Sequence, residues 1–287
     1  MARQWTWHHP ASLEEAARLL ARYGEDAVLV AGGTAVCLSP PRKDDVPMID
    51  LGRAGASEVE LADGVVRIGA MVTPTILSRH PALQQVGAGM LVEAARAVGP
   101  RPVRNRATVG GNVIRAFPWS DFPPALLALG ASFELMREGA RRTLAADELL
   151  SAQPRLSLEG GELLSAVHVP ASGHGRGSAF VKLAATAVDH ALVSVAAALR
   201  VEAGRCIEAR VVAGALTPLP QRLRAVESAL EGQALTEPAI RRAADEARTV
   251  EVARDRRASA DYRREVTTVL ARRALAVAWR RAEGGVS

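Results

Sequence analysis

Two glycine pairs constrain this chain more than any other feature. Gly32-Gly33 follows the apolar run of "VLVAGGTAV" at residues 28–36, and Gly110-Gly111 follows that of "ATVGGNVI" at residues 107–114. Both runs contain β-branched residues and read as short strands that end at their glycines. Without a Cβ the chain can take positive φ there, and a ligand can approach the main-chain N–H groups directly. Thr34 and Asn112, each directly after its pair, add side-chain donors at the mouth. One such turn alone would be a tight turn and no more, but two suit a dinucleotide whose pyrophosphate is gripped by two loops of amides. Neither loop reads G-x-G-x-x-G opening a helix or G-x-x-x-x-G-K-[ST], which disfavours Rossmann and P-loop geometries.

The runs around these loops predict an α+β chain. "ASLEEAARLLARYG" sets Leu13, Ala16, Ala17, Leu20 and Ala21 on one helical face, with Ser12 to start the helix and Gly24 to end it. "DAVLVAGG" and "VPMIDLG" then read as strands, giving a small βαββ-like unit. "VELADGVVRIGAMVT" places Asp63-Gly64 between two apolar runs, the signature of a type I′ hairpin. Residues 73–97 read as two helices separated at His80-Pro81, Gly87 falling within the helical pattern, and Asp121 as the residue that opens a helix over "FPPALLAL". "GELLSAVHVP" is one more strand, and "ASGHGRGS" at 171–178 is the best linker candidate. Three strand-like runs follow, then helices from about Gln221, Thr236 and Ser259.

Composition excludes several functions. The chain has 287 residues with a net charge of +5, but its arginines are scattered among acids and aromatics make up only 3%, which argues against nucleic acid. No apolar stretch is long enough for a membrane span, and the N-terminus lacks a secretory h-region, so a cytoplasmic location is expected. Cys37 and Cys206 have no partner at metal-ligand or redox-motif spacing, so no iron–sulfur cluster is expected in this chain, and both read as buried or half-buried thiols. His8-His9 has no nearby acids and reads as a surface pair rather than a metal site. Lys43 and Lys182 are the only lysines.

"VAGGTAV", "RPVRNRATVGGNVI", "SDFPPALLALGA", "GELLSAVHVP" and "RASADYRREVTTVLARRAL" occur in that order along essentially the whole chain. Together they resemble the FAD-binding medium subunit of the molybdenum hydroxylases, a family that includes carbon monoxide, xanthine and aldehyde dehydrogenases. The resemblance implies a two-part FAD-binding domain of the vanillyl-alcohol-oxidase type over 1–172, with subdomains of about 1–55 and 56–172. A small C-terminal α+β domain, an antiparallel sheet with helices, follows over 178–287. It implies an electron-transfer role: FAD in this chain, iron–sulfur clusters in a small partner subunit, molybdopterin in a large one, and a dimer of heterotrimers.

By the same resemblance, Ala31, Gly32, Gly33, Thr34, Ala35 and Val36 match the first pyrophosphate loop, and Thr108, Gly110, Gly111 and Asn112 the second. Asp121 matches an acid that contacts the cofactor, Leu164 a leucine bordering the flavin, and Lys182 a lysine near the isoalloxazine. On the residues alone, Asp121 is equally a helix N-cap, Leu164 a plain strand residue and Lys182 a surface lysine. Arg101, Arg104 and Arg106 near the second loop favour an anion but also suit a solvated loop. The chain departs from the family at Ala35, where Asp or Ser is usual, and at "LAATAVD" over 183–189, where a basic pair often follows the lysine. It also lacks the insertion that holds an extra cluster in one branch. Two alternatives stay open: a stand-alone FAD-dependent oxidoreductase of the same superfamily, and a flavin-free assembly module.

Overall fold

The computed structural model describes residues 4–85, 89–171 and 174–284. The reading of Gly87 as helical lies outside the described residues, as do positions 172 and 173 of the linker candidate. The first sheet is small and parallel: β1 (Thr6–His8), β2 (Val28–Val30) and β3 (Pro47–Asp50) lie in the order β1-β3-β2. Helix α1 (Leu13–Tyr23) joins β1 to β2, completing the βαββ-like unit. Its ends are chemically specified, because the Ser12 hydroxyl accepts from the Glu15 amide at 3.1 Å and Gly24, at φ 58°, returns its N–H to the Leu20 carbonyl. The buried face of α1 packs on Ile49 and Leu51 and reaches Met136 and Leu163 of the next sheet.

That second sheet is antiparallel throughout. It comprises β4 (Val59–Ala62), β5 (Val65–Gly69), β6 (Ser132–Arg137), β7 (Ala140–Ala145) and β8 (Leu163–Pro170), in the order β4-β5-β8-β6-β7. Asp63 and Gly64 both take positive φ, 50° and 72°, as the type I′ hairpin requires. Strand β7 escaped the sequence reading because it is an edge strand, largely exposed, with little apolar alternation to betray it.

Residues 73–97 contain three helical segments among the described residues, α2 (Pro74–Leu77), α3 (Pro81–Gln85) and α4 (Gly89–Ala97), where two were predicted. Thr73 caps the first through its hydroxyl, and Pro81 starts the second. Next come α5 (Arg101–Arg104), α6 (Val109–Arg115), α7 (Phe122–Ala128), α8 (Ala146–Leu149) and α9 (Pro154–Ser157). The core of this layer gathers Ile68, Leu77, Met90, Phe122, Phe133 and Val167, all buried.

The third sheet is β9 (Arg176–Leu183), β10 (Val193–Glu202), β11 (Arg205–Gly214) and β12 (Gln221–Arg222), antiparallel in the order β12-β11-β10-β9. Gln221 therefore sits in a strand, paired with Ala213, and α10 (Arg224–Leu230) begins three residues after it rather than at it. Helices α11 (Glu237–Asp245) and α12 (Ala260–Ala282) start where Thr236 and Ser259 cap them. The period-two alternation of β10 explains its near-continuous apolar run. Val193, Val195, Ala197 and Leu199 face the helices of this unit, while Ala196 joins the core of the preceding layer. The sheet is buried on both sides, and α4 and α7 pack on its outer face. The chain is thus a two-domain α+β protein whose C-terminal unit is an antiparallel sheet with helices.

Candidate functional site

Beyond β2, residues 31–36 form a half-buried turn in which Gly33 takes φ 74°. The Cys37 N–H closes the turn onto the Gly33 carbonyl at 2.9 Å. Among the described residues, the main-chain N–H groups of Gly32, Gly33, Thr34, Ala35 and Val36 donate to no acceptor in the chain. Five unpaired amides in one turn concentrate partial positive charge, the arrangement that receives an anion. Ala35 contributes its amide and no polar side chain.

The second glycine pair differs from its sequence reading. It does not end a strand; it occupies the first turn of α6, with Thr108 as N-cap accepting from Gly111 N at 3.0 Å. Its neighbouring amides are already used, since Val109 N donates to Val72 O and Gly110 N to Ala70 O, both at 2.9 Å, and Asn112 N to Thr108 O at 3.0 Å. The amide cradle expected from this loop is therefore absent at Val109 to Asn112. Gly110 is glycine for packing: a Cβ there would lie 2.8 Å from Ala70 Cβ. Gly111 is exposed, and a Cβ on it would meet only the Thr108 hydroxyl, at 2.9 Å. Asn112 is not a free donor group at the mouth, because its Oδ1 accepts from Phe122 N at 3.4 Å and so caps α7.

The two loops nevertheless meet. A Cβ on Gly32 would fall 1.7 Å from the Arg106 carbonyl oxygen, so this crossing is open to glycine alone. Upstream, the expected loop at Arg101–Arg104 is the short helix α5, and the Arg104 guanidinium donates to the Gly99 and Val98 carbonyls.

Asp121 and Lys182, distant in sequence, form a buried pair across the two domains. Asp121 precedes α7 but its side chain caps nothing; the backbone there has φ −86° and ψ −30°. Lys182, on β9, is no surface lysine, its side chain being 10% exposed. Its Nζ lies 3.2 Å from each Asp121 carboxylate oxygen and donates to the Ala97 carbonyl at 2.8 Å. Hydrogen-bond alignment is met at Oδ2 only, which leaves the buried Oδ1 without a hydrogen-bond donor. Desolvation raises the Asp121 pKa from 3.8 to about 6, the Lys182 charge opposing but not cancelling it. Leu164 lies on β8 opposite Leu135, buried in the main core.

A stacked group that sequence reasoning missed shares this domain junction. Phe117 stacks on Trp119 at 5.1 Å between centroids and Trp119 on His190 at 4.7 Å, while Arg115 covers Phe117 and Arg257 covers Trp119. The His190 pKa is held below the ordinary histidine value by partial desolvation, then by the charges of Arg257 and Lys182. The available signal was "FPW" at 117–119, a dense aromatic cluster in a chain that is 3% aromatic. Among the described residues, no group of His, Cys, Asp and Glu could hold a metal, and no helix is long and apolar enough to cross a membrane. Cys206 is buried as expected, whereas Cys37 is exposed.

Comparisons with known proteins match this architecture. The profile of the family described as FAD binding domain in molybdopterin dehydrogenase matches residues 3–172. That of the CO dehydrogenase flavoprotein C-terminal domain matches residues 178–278. The chain is 32% identical to the carbon monoxide dehydrogenase medium chain of Hydrogenophaga pseudoflava over 282 residues, 97% of this chain and 98% of that one. It is 31% identical to the nicotine 6-hydroxylase medium subunit of Paenarthrobacter nicotinovorans, covering 93% of this chain and 94% of the relative. Among solved structures, carbon monoxide dehydrogenase from Hydrogenophaga pseudoflava superposes with a TM-score of 0.91 over 98% of this chain and 99% of that one, at 32% identity. Quinoline 2-oxidoreductase from Pseudomonas putida 86 superposes with a TM-score of 0.88 at 26% identity, over 98% of each chain.

Proposed function

Since the chain belongs to the family of FAD-binding medium subunits of the molybdenum hydroxylases, we propose that it carries FAD and relays electrons from a partner iron–sulfur subunit to an external acceptor. The observation that supports this best is the meeting of the two glycine loops at Gly32, with the unpaired amides of Gly32 to Val36 beside it. That donor set fits a pyrophosphate, which offers acceptors and no donors. Ala31 to Val36 would hold it, with the exposed Gly111 presenting the open face of the second loop and Thr108 and Asn112 fixing that loop through their caps. Gly110 would serve by letting α6 pack close. The missing polar group at Ala35 removes one side-chain contact but none of the five amides.

Asp121, Lys182 and Leu164 are proposed to border the flavin ring. A buried ammonium there favours negative charge on a bound group, and the orphaned Asp121 Oδ1 accepts a hydrogen bond from a donor placed beside it. Bound FAD supplies the exchange of electrons between partner and acceptor; the protein supplies binding, orientation and electrostatics. No side chain of this subunit is assigned as a general acid or base.

Molybdopterin and the iron–sulfur clusters are assigned to partner subunits, in a dimer of heterotrimers, and the domain division to residues 172–178. Relatives named for carbon monoxide, nicotine and quinoline share this build, which supports placing substrate choice outside this chain. The test is to purify the chain alone and with co-expressed partner subunits, and to follow flavin reduction on adding substrate. Reduction in the complex and none in the isolated chain is expected; steady turnover by the isolated chain would instead identify a self-sufficient oxidoreductase.

A further inference from the structure

A second polar concavity lies on the second-sheet layer, and neither Asp121 nor Lys182 lines it. Helices α2, α4 and α5, with the residues just after α2, border a half-open concavity of about 240 Å³ lined by Thr75, Ser78, Arg79, Arg96, Arg101 and Arg104. Elsewhere in the protein, several arginines are matched by acids, as in Arg142 with Glu162 or Arg222 with Glu227. Here the lining holds four guanidinium groups and no carboxylate. Arg79, Arg96 and Arg101 are exposed, and their guanidinium groups make no hydrogen bond or ion pair among the described residues. The acid on α4, Glu93, is committed elsewhere, to Arg281 and to the Phe180 amide.

Gathering four like charges around one concavity is unfavourable unless an anion fills it. Arginine is suited to that role, since its planar fork of donors matches a phosphate or carboxylate in bidentate fashion. The two hydroxyls add reorientable donors. Ser78 Oγ now donates to Thr75 O at 3.0 Å, and Thr75 Oγ1 lies 2.7 Å from Asn105 Oδ1. A small, half-open concavity with several cations favours a compact, multiply charged oxyanion over an extended acidic protein surface.

We propose that this arginine cleft binds the phosphate or diphosphate group of a ligand other than the flavin held at the glycine loops. The shared chemistry has two sources, since a diphosphate could be the flavin's own or belong to a second, soluble ligand. The cleft is assigned to the second because the run of five unpaired amides stands at residues 32–36, none of which lines the cleft.

The experiment titrates inorganic pyrophosphate into flavin-loaded and flavin-free full-length protein by calorimetry, in a phosphate-free buffer. Wild type and the Arg79→Gln/Arg101→Gln double variant are compared, and both substitutions leave the hydrogen-bonded Arg104 in place. One saturable site is expected in flavin-loaded wild type, and the same site in flavin-free wild type beside a second at the vacated glycine loops; the double change weakens the shared site at least tenfold while the melting temperature and flavin content stay the same. Absence of saturable binding, binding indifferent to the double change, or binding found only in flavin-free protein would each overturn the proposal. The last outcome would make the cleft part of the flavin site. Should the chain hold no flavin at all, the flavin-free arm still reads the cleft, so the two assignments fail separately.

Discussion

Asp121 shows how a single side chain couples burial to chemistry. Its carboxyl is 4% exposed and titrates near 6 rather than 3.8 because desolvation outweighs the Lys182 charge. The native chain therefore still holds this proton between pH 4 and 6, where the unfolded chain has released it. A raised carboxyl pKa favours folding most at low pH, and that advantage is lost as pH rises through the native value. The wild type is expected to lose about 2 kcal/mol relative to Asp121→Asn between pH 4 and pH 7, most of the full effect of the shift at ~1.4 kcal/mol per pKa unit. Paired denaturant melts across that range measure it; a constant difference would show that Lys182 fully compensates the burial. Gly32 makes a complementary steric case. In Gly32→Ala the new methyl meets the Arg106 carbonyl at 1.7 Å, so the loops must separate. Flavin retention should fall at least tenfold, at a stability cost of about 1–3 kcal/mol, as read by flavin absorbance and thermal melts.

At the scale of elements, what was legible depended on where the folding information sits. Helix α1 and the Asp63-Gly64 hairpin are written locally, in a cap, a periodic face and a turn pair, and both form as read. The third sheet was legible from β-branched runs buried on both faces. The start of α6 was not, because "ATV" has strand propensity and the helix is initiated by bonds from Val109 and Gly110 to residues 70–72, far away in sequence. Asp121 was legible as a residue of interest, but its partner lies 61 residues away and no local pattern points to it. Helix α12 carries another long-range device, Arg263, which is 2% exposed and donates to the carbonyls of Leu192, Ala253 and Ala215. Arg263→Met should leave these acceptors unpaired and cost about 2–4 kcal/mol, measured by urea unfolding. A loss under 0.5 kcal/mol would mean that water replaces the guanidinium without penalty.

Across the whole molecule, the two domains are joined by specific contacts rather than by apolar packing alone. Arg281 of α12 donates to Glu93 and to the Ser178 carbonyl, both at 2.6 Å, while Glu93 accepts from Phe180 N at 2.7 Å. Near the other end of the junction, Ala215 N donates to the Pro118 carbonyl at 3.0 Å, beside the Phe117–Trp119–His190 stack. These contacts fix the position of β9, and so of Lys182, relative to α7 and Asp121. The C-terminal domain thereby helps to build the proposed ring site.

The most direct test of this account is the flavin content of the purified protein, prepared alone and with its partner subunits. The cofactor is released by denaturation and identified by chromatography. One FAD per chain is the predicted result, at least in the complex. A colourless chain in both preparations would contradict the assignment of the glycine loops to a flavin dinucleotide.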